Sequence, residues 1–295
     1  VAMDRRNFLT AFIGAPAVAA LLAACGDNST APADTSGTND TTPAGIPHPT
    51  GADEFVMRIS YEGGFVMPSY LFTRVPTLLV SGDGRAFQPG AQTEQYPGPL
   101  LPAITVRTVD EVAVQAMLEA ARAAGLLAAA PDYSIPPDAP QVADAPNTVV
   151  TINANGTTYT HSAYALGIGG EPTELTPART ALLKFVTAMG DLATVAGATH
   201  VGTESMLTPA KFRIRATPAQ PDLTAEPAPT VQPWPTTTGV TLASASNCVI
   251  ADAAKVGELL AAANQLSYFT EPDSSGAEVT YELAAVALLP GDAAC

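Results

Sequence analysis

The chain has 295 residues, with 28 acidic side chains against 13 lysines and arginines, which gives a formal charge of −15. A chain this acidic has no basic footprint for a phosphate backbone, so nucleic-acid binding is excluded from the expected functions. Apolar residues make up 47% of the chain, enough for a sizeable core. At about 150 residues per domain, the length predicts one large domain or two modest ones.

The first 24 residues have the features of an export signal. Arg5 and Arg6 form a positively charged start, a short apolar stretch follows, and small residues precede Cys25. The two arginines followed by Phe8-Leu9 resemble the twin-arginine signal, which implies export of an already folded protein. An ordinary secretory leader is the alternative. We expect residues 1–24 to be cleaved and the rest to lie outside the cytoplasm.

The end of this leader, Leu22-Ala23-Ala24-Cys25, resembles a bacterial lipobox. The resemblance implies that the thiol of Cys25 receives a diacylglycerol and becomes the first residue after cleavage. Two or three acyl chains anchor a protein stably, because each buried methylene contributes about 0.8 kcal/mol. The chain that follows is small and polar, so residues 25–53 are predicted to be a lipidated, disordered tether to a bacterial cell membrane.

The remaining two cysteines, Cys248 and Cys295, predict a disulfide. Outside the cytoplasm, two thiols left over after lipidation usually pair. The bond would close a loop of roughly 48 residues and stabilise the fold by about 4 kcal/mol on the loop-entropy model. A free catalytic thiol and a metal-binding pair are the alternatives, although neither cysteine has a histidine nearby in the sequence.

The first predicted half spans residues 55–170 and begins with extended chain. Strands are expected over 55–61, over 70–80 with an interruption at Pro76, and over 104–107.

A helix and a hairpin complete the first half. Thr108 and Glu111 fit a capping box at the start of an amphipathic helix that Gly125 ends. Asn155-Gly156 lies between two alternating stretches and is the strongest short-range hairpin signal. The two strands of this hairpin are expected over residues 148–152 and 157–166.

The second predicted half spans residues 171–295. A helix is expected to begin at Thr176-Pro177 and a second one to span residues 252–263. Strands are expected over 211–216 and 278–288.

Trp234, the only tryptophan, lies among six prolines between residues 218 and 235. This segment is either a linker or an extended crossing that docks on the core, and we favour docking. The elements together predict an α+β fold. In it, antiparallel sheets carry amphipathic helices on one face, and two halves pack closely.

Catalytic chemistry is not evident. His48, His161 and His200 are too far apart in sequence for a metal site, and no nucleophile or phosphate-binding motif occurs. No catalytic, cofactor-binding or metal-binding residue is therefore predicted. If the protein were an enzyme, His161, Asp144 and Asp110 would be the residues to test.

Residues 55–166 resemble emfourin, a small secreted inhibitor of bacterial metalloproteases. The likeness rests on a first strand that runs into Gly63-Gly64-Phe65, on Asp83-Gly84, on the amphipathic helix and on the hairpin around Asn155-Gly156. The long proline-rich insertions depart from that small domain, so inhibitory residues cannot be transferred. The Ala/Pro/Thr-rich tether and the C-terminal cysteine also resemble those of lipoproteins of high-GC bacteria.

These features predict a lipid-anchored extracytoplasmic module that binds a protein or an envelope polymer and has no catalytic site or cofactor. An anchored carrier of small molecules is the alternative, and a hydrolase is a less favoured one.

Overall fold

A computed structural model describes residues 45–137, 142–168 and 176–295. The predicted export signal at Arg5 and Arg6 and the predicted lipidation site at Cys25 lie outside these ranges. Within them, no helix has the length and apolar character that crossing a membrane requires.

Seven strands form the first sheet. Their bounds are β1 Phe55–Glu62, β2 Leu78–Ser81, β3 Arg85–Pro89, β4 Ile104–Thr108, β5 Asn147–Ala154, β6 Thr157–Tyr164 and β7 Ser205–Met206. Across the sheet they follow the order β6-β5-β1-β2-β3-β4-β7, and all the pairings are antiparallel.

Five strands form the second sheet. Their bounds are β8 Lys211–Pro218, β9 Thr230–Pro233, β10 Val249–Asp252, β11 Ser267–Pro272 and β12 Glu278–Ala287. Their order is β10-β8-β12-β11-β9, and β9 pairs with β11 in the one parallel ladder of this sheet. The described α-helices are α1 Pro68–Thr73, α2 Glu111–Ala123, α3 Pro177–Ala188, α4 Leu192–Ala196 and α5 Ala253–Ala262.

Helices cover one face of each sheet. Successive residues of a strand point to opposite faces, so alternate residues of each strand face the helices. Leu78 and Val80 of β2 belong to the core that the first sheet forms with α2 and α3. On the second sheet, Val256 and Leu260 of α5 pack with Phe269 of β11. The predicted α+β fold, with amphipathic helices on antiparallel sheets, is confirmed.

The two sheets pack on each other through their remaining faces. Leu79 and Phe87 of the first sheet share a buried cluster with Val286 and Leu289 at the end of the second. Leu79 lies between Leu78 and Val80, so consecutive residues of β2 face different cores. This central cluster joins the two sheets into one compact unit.

The division between the sheets falls later in the chain than the predicted boundary at residue 170. Leu182 and Phe185 of α3 lie in the core of the first sheet, and the second sheet begins at Lys211. The amphipathic pattern of α3 shows that one of its faces is buried but does not show which sheet buries it.

Several predicted elements occur as expected. Asn155 and Gly156 both have positive φ, 53° and 68°, as the hairpin turn between β5 and β6 requires. Thr176 caps α3 by accepting a hydrogen bond from the backbone N–H of Arg179. Trp234 is buried against Phe269, with the rings 5.4 Å apart and perpendicular, so the proline-rich crossing docks on the second core.

Two local predictions differ from the structure. Asp110, not Thr108, caps α2, and its Oδ1 accepts a hydrogen bond from the N–H of Ala113 at 3.0 Å. Thr108 is instead the last residue of β4. Residues 70–80 are not one extended stretch, because Pro68 starts the short helix α1 and only the end of the range enters β2.

The C-terminal tail links both sheets. Asp292 Oδ1 accepts a hydrogen bond from Arg58 Nη1 of β1 at 2.9 Å, and Asp292 Oδ2 lies 4.0 Å from Arg213 Nη1 of β8. Cys295 forms a disulfide with Cys248, and their Cα atoms are 5.0 Å apart. These contacts fix a chain end that would otherwise fray.

Candidate functional site

The three residues named as enzyme candidates have separate structural roles. His161 on β6 is completely buried. Asp144 is exposed in a loop, and its carbonyl oxygen accepts a hydrogen bond from the N–H of Phe65. Asp110 caps α2 and bonds His200 Nδ1 at 2.7 Å, a contact that lowers the pKa of this carboxyl.

His161 lies inside the first core, where burial disfavours its charged form. Its Nε2 donates to the carbonyl of Leu126 at 3.0 Å, so Nδ1 is the atom that accepts from the Tyr133 hydroxyl at 2.8 Å. Burial lowers the pKa of His161 and raises the pKa of Tyr133. Since His161 has no access to solvent, this pair supports the fold and is not placed for proton transfer to a substrate.

Arg179 of α3 closes the same buried region. Its guanidinium donates to the carbonyl oxygens of Tyr133 and Tyr164 at 2.8 and 2.9 Å. Burial lowers the pKa of Arg179. Across the three described ranges, no group of three histidine, cysteine or acidic side chains is placed to hold a metal ion.

The most unusual surface feature is the apolar segment, residues 65–71, with the sequence Phe-Val-Met-Pro-Ser-Tyr-Leu. Phe65 is 87% exposed, Met67 68% and Tyr70 55%, and Val66 and Leu71 are exposed as well. Single exposed apolar residues are ordinary, but contiguous ones mark interaction sites. This segment is therefore the candidate functional site.

Two glycines let the chain leave β1 and form the segment. Gly63 and Gly64 have φ values of 69° and 86°, a region that side-chain-bearing residues rarely occupy. Immediately after them, the N–H of Phe65 bonds the carbonyl of Asp144 at 3.3 Å. The base of the segment is thus attached to the loop that precedes β5.

Arg74, which follows the segment, bonds the chain that precedes it. Arg74 Nη1 donates to the carbonyl oxygens of Tyr61 and Gly63 at 2.7 and 3.1 Å. The same guanidinium lies 5.0 Å from the centre of the Tyr70 ring, within range of a cation–π interaction. These contacts fix the backbone while the apolar side chains remain in solvent.

Phe72, just after the segment, anchors α1 on the second sheet. Its ring lies 5.0 Å from the guanidinium of Arg213 and 4.9 Å from that of Arg215, both on β8. Its side chain packs against the cluster between the sheets. The segment therefore stands on a half-buried anchor, which reduces the ordering cost of binding.

A cleft of about 820 Å³ runs along the segment. Val66, Met67 and Tyr70 form part of its wall, and residues from distant loops form more of it: Tyr96, Pro99, Leu100 and Pro146. An adjoining cleft of about 540 Å³ shares Tyr70, Arg74 and Leu100 with the first. The protruding segment and the two clefts form one continuous surface.

The sequence contains one local signal for this site. Phe65-Val66-Met67 is an apolar run placed after two glycines and directly before Pro68, so it cannot continue the ladder of β1. The cleft could not be predicted, because residues 96–100 and 146 meet the segment only through tertiary packing.

No protein-family model, no curated protein and no solved structure matches this chain. The resemblance of residues 55–166 to emfourin therefore stays a prediction from the sequence.

Proposed function

We propose that this protein is a lipid-anchored extracytoplasmic module of a bacterium that binds a partner protein through the apolar segment. The exposure of Phe65, Met67 and Tyr70 on a rigid base is the observation that carries the proposal. Large aromatic and thioether side chains that are presented in this way are typical of binding hot spots.

A protein surface suits the segment better than an envelope polymer does. Phe65, Val66 and Leu71 have no hydrogen-bonding group on their side chains and Met67 has only a weakly accepting sulfur, whereas a polar polymer is recognised through hydrogen-bonding groups. An apolar pocket on a protein gains free energy from covering them. Full burial of a side chain the size of Phe65 contributes roughly 1.5–3 kcal/mol, or about a tenfold to a hundredfold change in affinity.

The two other functions have less support. A carrier of small molecules buries most of the surface of its ligand, whereas the clefts beside the segment are open to solvent. A hydrolase needs its catalytic groups to converge, whereas His161 is inaccessible and Asp110 is occupied in capping α2.

Inhibition of a secreted metalloprotease is a second candidate function. The observation that favours it is the position of Gly63-Gly64-Phe65, part of the resemblance to emfourin, at the base of the exposed segment. A thermolysin-type protease and a chromogenic peptide test it. Inhibition by the wild-type chain that Phe65→Asp removes would support it, and full protease activity at micromolar wild-type concentrations would contradict it.

The anchor is proposed from the sequence and is tested separately. The intact protein from its producing cell should carry acyl chains on Cys25, and Cys25→Ser should release it from the membrane fraction. Unmodified Cys25, or a Cys25→Ser variant that stays membrane-bound, would contradict this part of the proposal.

Binding through the segment is tested with two matched variants. Phe65→Asp places a charge in the segment, and Leu223→Asp places the same charge at a side chain of similar type that is 63% exposed elsewhere. Each variant is extracted gently from producing cells, captured, and compared with wild type by quantitative mass spectrometry. In parallel, each is sedimented with isolated wall polymer.

The proposal predicts a protein that is recovered with wild type and Leu223→Asp and reduced about tenfold or more with Phe65→Asp. Equal recovery with both variants would contradict it. Loss of sedimentation with wall polymer in Phe65→Asp alone would show that the segment binds the polymer instead.

A further inference from the structure

The apolar segment and the cleft lie side by side on one face. Val66 and Met67 belong to the segment and also line the cleft, whose other walls include Pro99 and Leu100. Phe65, next to them, projects into solvent. A protrusion beside a recess is the arrangement that a two-fold axis can satisfy, because each copy then supplies both halves of the contact.

The exposed apolar area is close to what a stable dimer needs. Seven large side chains on this face are each more than two-fifths exposed: Phe65, Val66, Met67, Tyr70 and Leu71 of the segment, and Tyr61 and Tyr96 beside it in the clefts. With about 200 Å² for each large aromatic side chain and somewhat less for the aliphatic ones, their exposed parts amount to roughly 700 Å². A standard interface buries about 800 Å² per partner.

The charge distribution also favours a second copy at this face. The chain has a formal charge of −15, so most of its surface repels another copy. Arg74 and Glu282 are the charged side chains among the residues that line the two clefts, and they balance each other. The linings of the two clefts, into which a second copy would dock, therefore carry no net charge.

We propose that a second copy of this chain docks on this face, so that the apolar segment of each copy lies in the cleft of the other. This inference rests on the proposed function and deepens it by naming the partner. Confinement of lipid-anchored copies to one membrane raises their effective concentration, which favours such a contact.

The test uses two copies of the full chain with different epitope tags, produced in the same cell. One tag is captured after gentle detergent extraction, and the amount of the other is measured. The measurement is repeated with Phe65→Asp in both copies and with Leu223→Asp in both copies. The exposure of both positions makes the fold insensitive to either change, which a thermal melt of each variant checks.

We expect wild type and Leu223→Asp to co-capture the second tag and Phe65→Asp to reduce its recovery about tenfold or more. We also expect recovery to rise with ionic strength, because salt shortens the Debye length from about 30 Å at 0.01 M to about 8 Å at 0.15 M and screens the repulsion between acidic copies.

Co-capture that Phe65→Asp leaves unchanged would overturn this dimer, since the copies would then associate elsewhere or share a micelle. Absence of co-capture would overturn it as well. If another protein is nevertheless lost with Phe65→Asp alone, the dimer fails but the proposed binding function stands. If Phe65→Asp changes the recovery of neither, both fail.

Discussion

Asp292 offers a sensitive test of how the two sheets are held together. Its carboxylate accepts hydrogen bonds from Arg58 Nη1 at 2.9 Å and from the backbone N–H of Leu289 at 3.0 Å, and it lies 4.0 Å from Arg213 Nη1. The Asp292 side chain is 6% exposed, whereas those of the two arginines are 26% and 25% exposed. One carboxylate thus joins β1 of the first sheet to β8 of the second.

We expect Asp292→Ala to lower the free energy of unfolding by about 3 kcal/mol. Loss of one partner of a fully buried ion pair costs about 3–5 kcal/mol, and partial exposure of the arginines reduces that figure. Loss of the bond to Leu289 adds about 1 kcal/mol. Asp292→Asn keeps an acceptor oxygen but loses the charge, so its effect should be smaller.

Urea unfolding at pH 7 measures this effect, with the Cys248–Cys295 disulfide intact and the fluorescence of Trp234 as the probe. Glu94→Ala, at an exposed carboxylate, is the control and should change the free energy by less than about 0.5 kcal/mol. A loss of less than about 1 kcal/mol in Asp292→Ala, or a double-mutant cycle with Arg58→Ala that shows no coupling, would refute this role of Asp292.

Three further predictions concern the core and the disulfide. Burial lowers the pKa of His161, whose ordinary value is 6.5, so below pH 6.5 the unfolded chain takes up a proton that the folded chain does not. The free energy of unfolding should then decrease by about 1.4 kcal/mol for each unit by which the pH is lowered below 6.5. The decrease should stop when the pH reaches the pKa of His161 in the folded state. Urea unfolding between pH 7 and 5 should show a shallower decline for His161→Gln, and an equal decline in both proteins would contradict the assignment. Trp234→Ala should lower the free energy of unfolding by about 3–5 kcal/mol, measured by circular dichroism, and a loss under 1 kcal/mol would show that the proline-rich crossing is not docked. Cys248→Ser should lower stability by about 4 kcal/mol, and a reductant should then have no further effect; an unchanged unfolding midpoint would contradict a structural disulfide.

Local sequence patterns were sufficient for the main elements of the fold. Asn155-Gly156 fixes the hairpin because both residues tolerate the positive φ of the tight turn, and no distant contact is needed. The apolar period of α2 and α5 likewise identifies the buried face of each helix. Such signals depend only on residues within a few positions of each other.

Features that depend on distant residues could not be predicted in the same way. The sheet that covers α3 is chosen by tertiary packing in a core that includes strands as distant in the chain as β1 and β2. Asp292 meets Arg58 across 234 positions, and nothing in the local sequence of either residue indicates the pair. The candidate site combines both cases, because Gly63-Gly64 has a local signal whereas the cleft is assembled from separate loops.

The most direct test of the account replaces Phe65 with a photo-reactive phenylalanine analogue in the full chain. The same analogue at Leu223 is the control, and both proteins are irradiated in intact producing cells. If the apolar segment is the binding surface, position 65 gives a covalent adduct and position 223 gives little or none. The adduct has the mass of two copies if the dimer is correct. Equal labelling from both positions, or no adduct from position 65, would contradict the claim that the apolar segment is the binding surface.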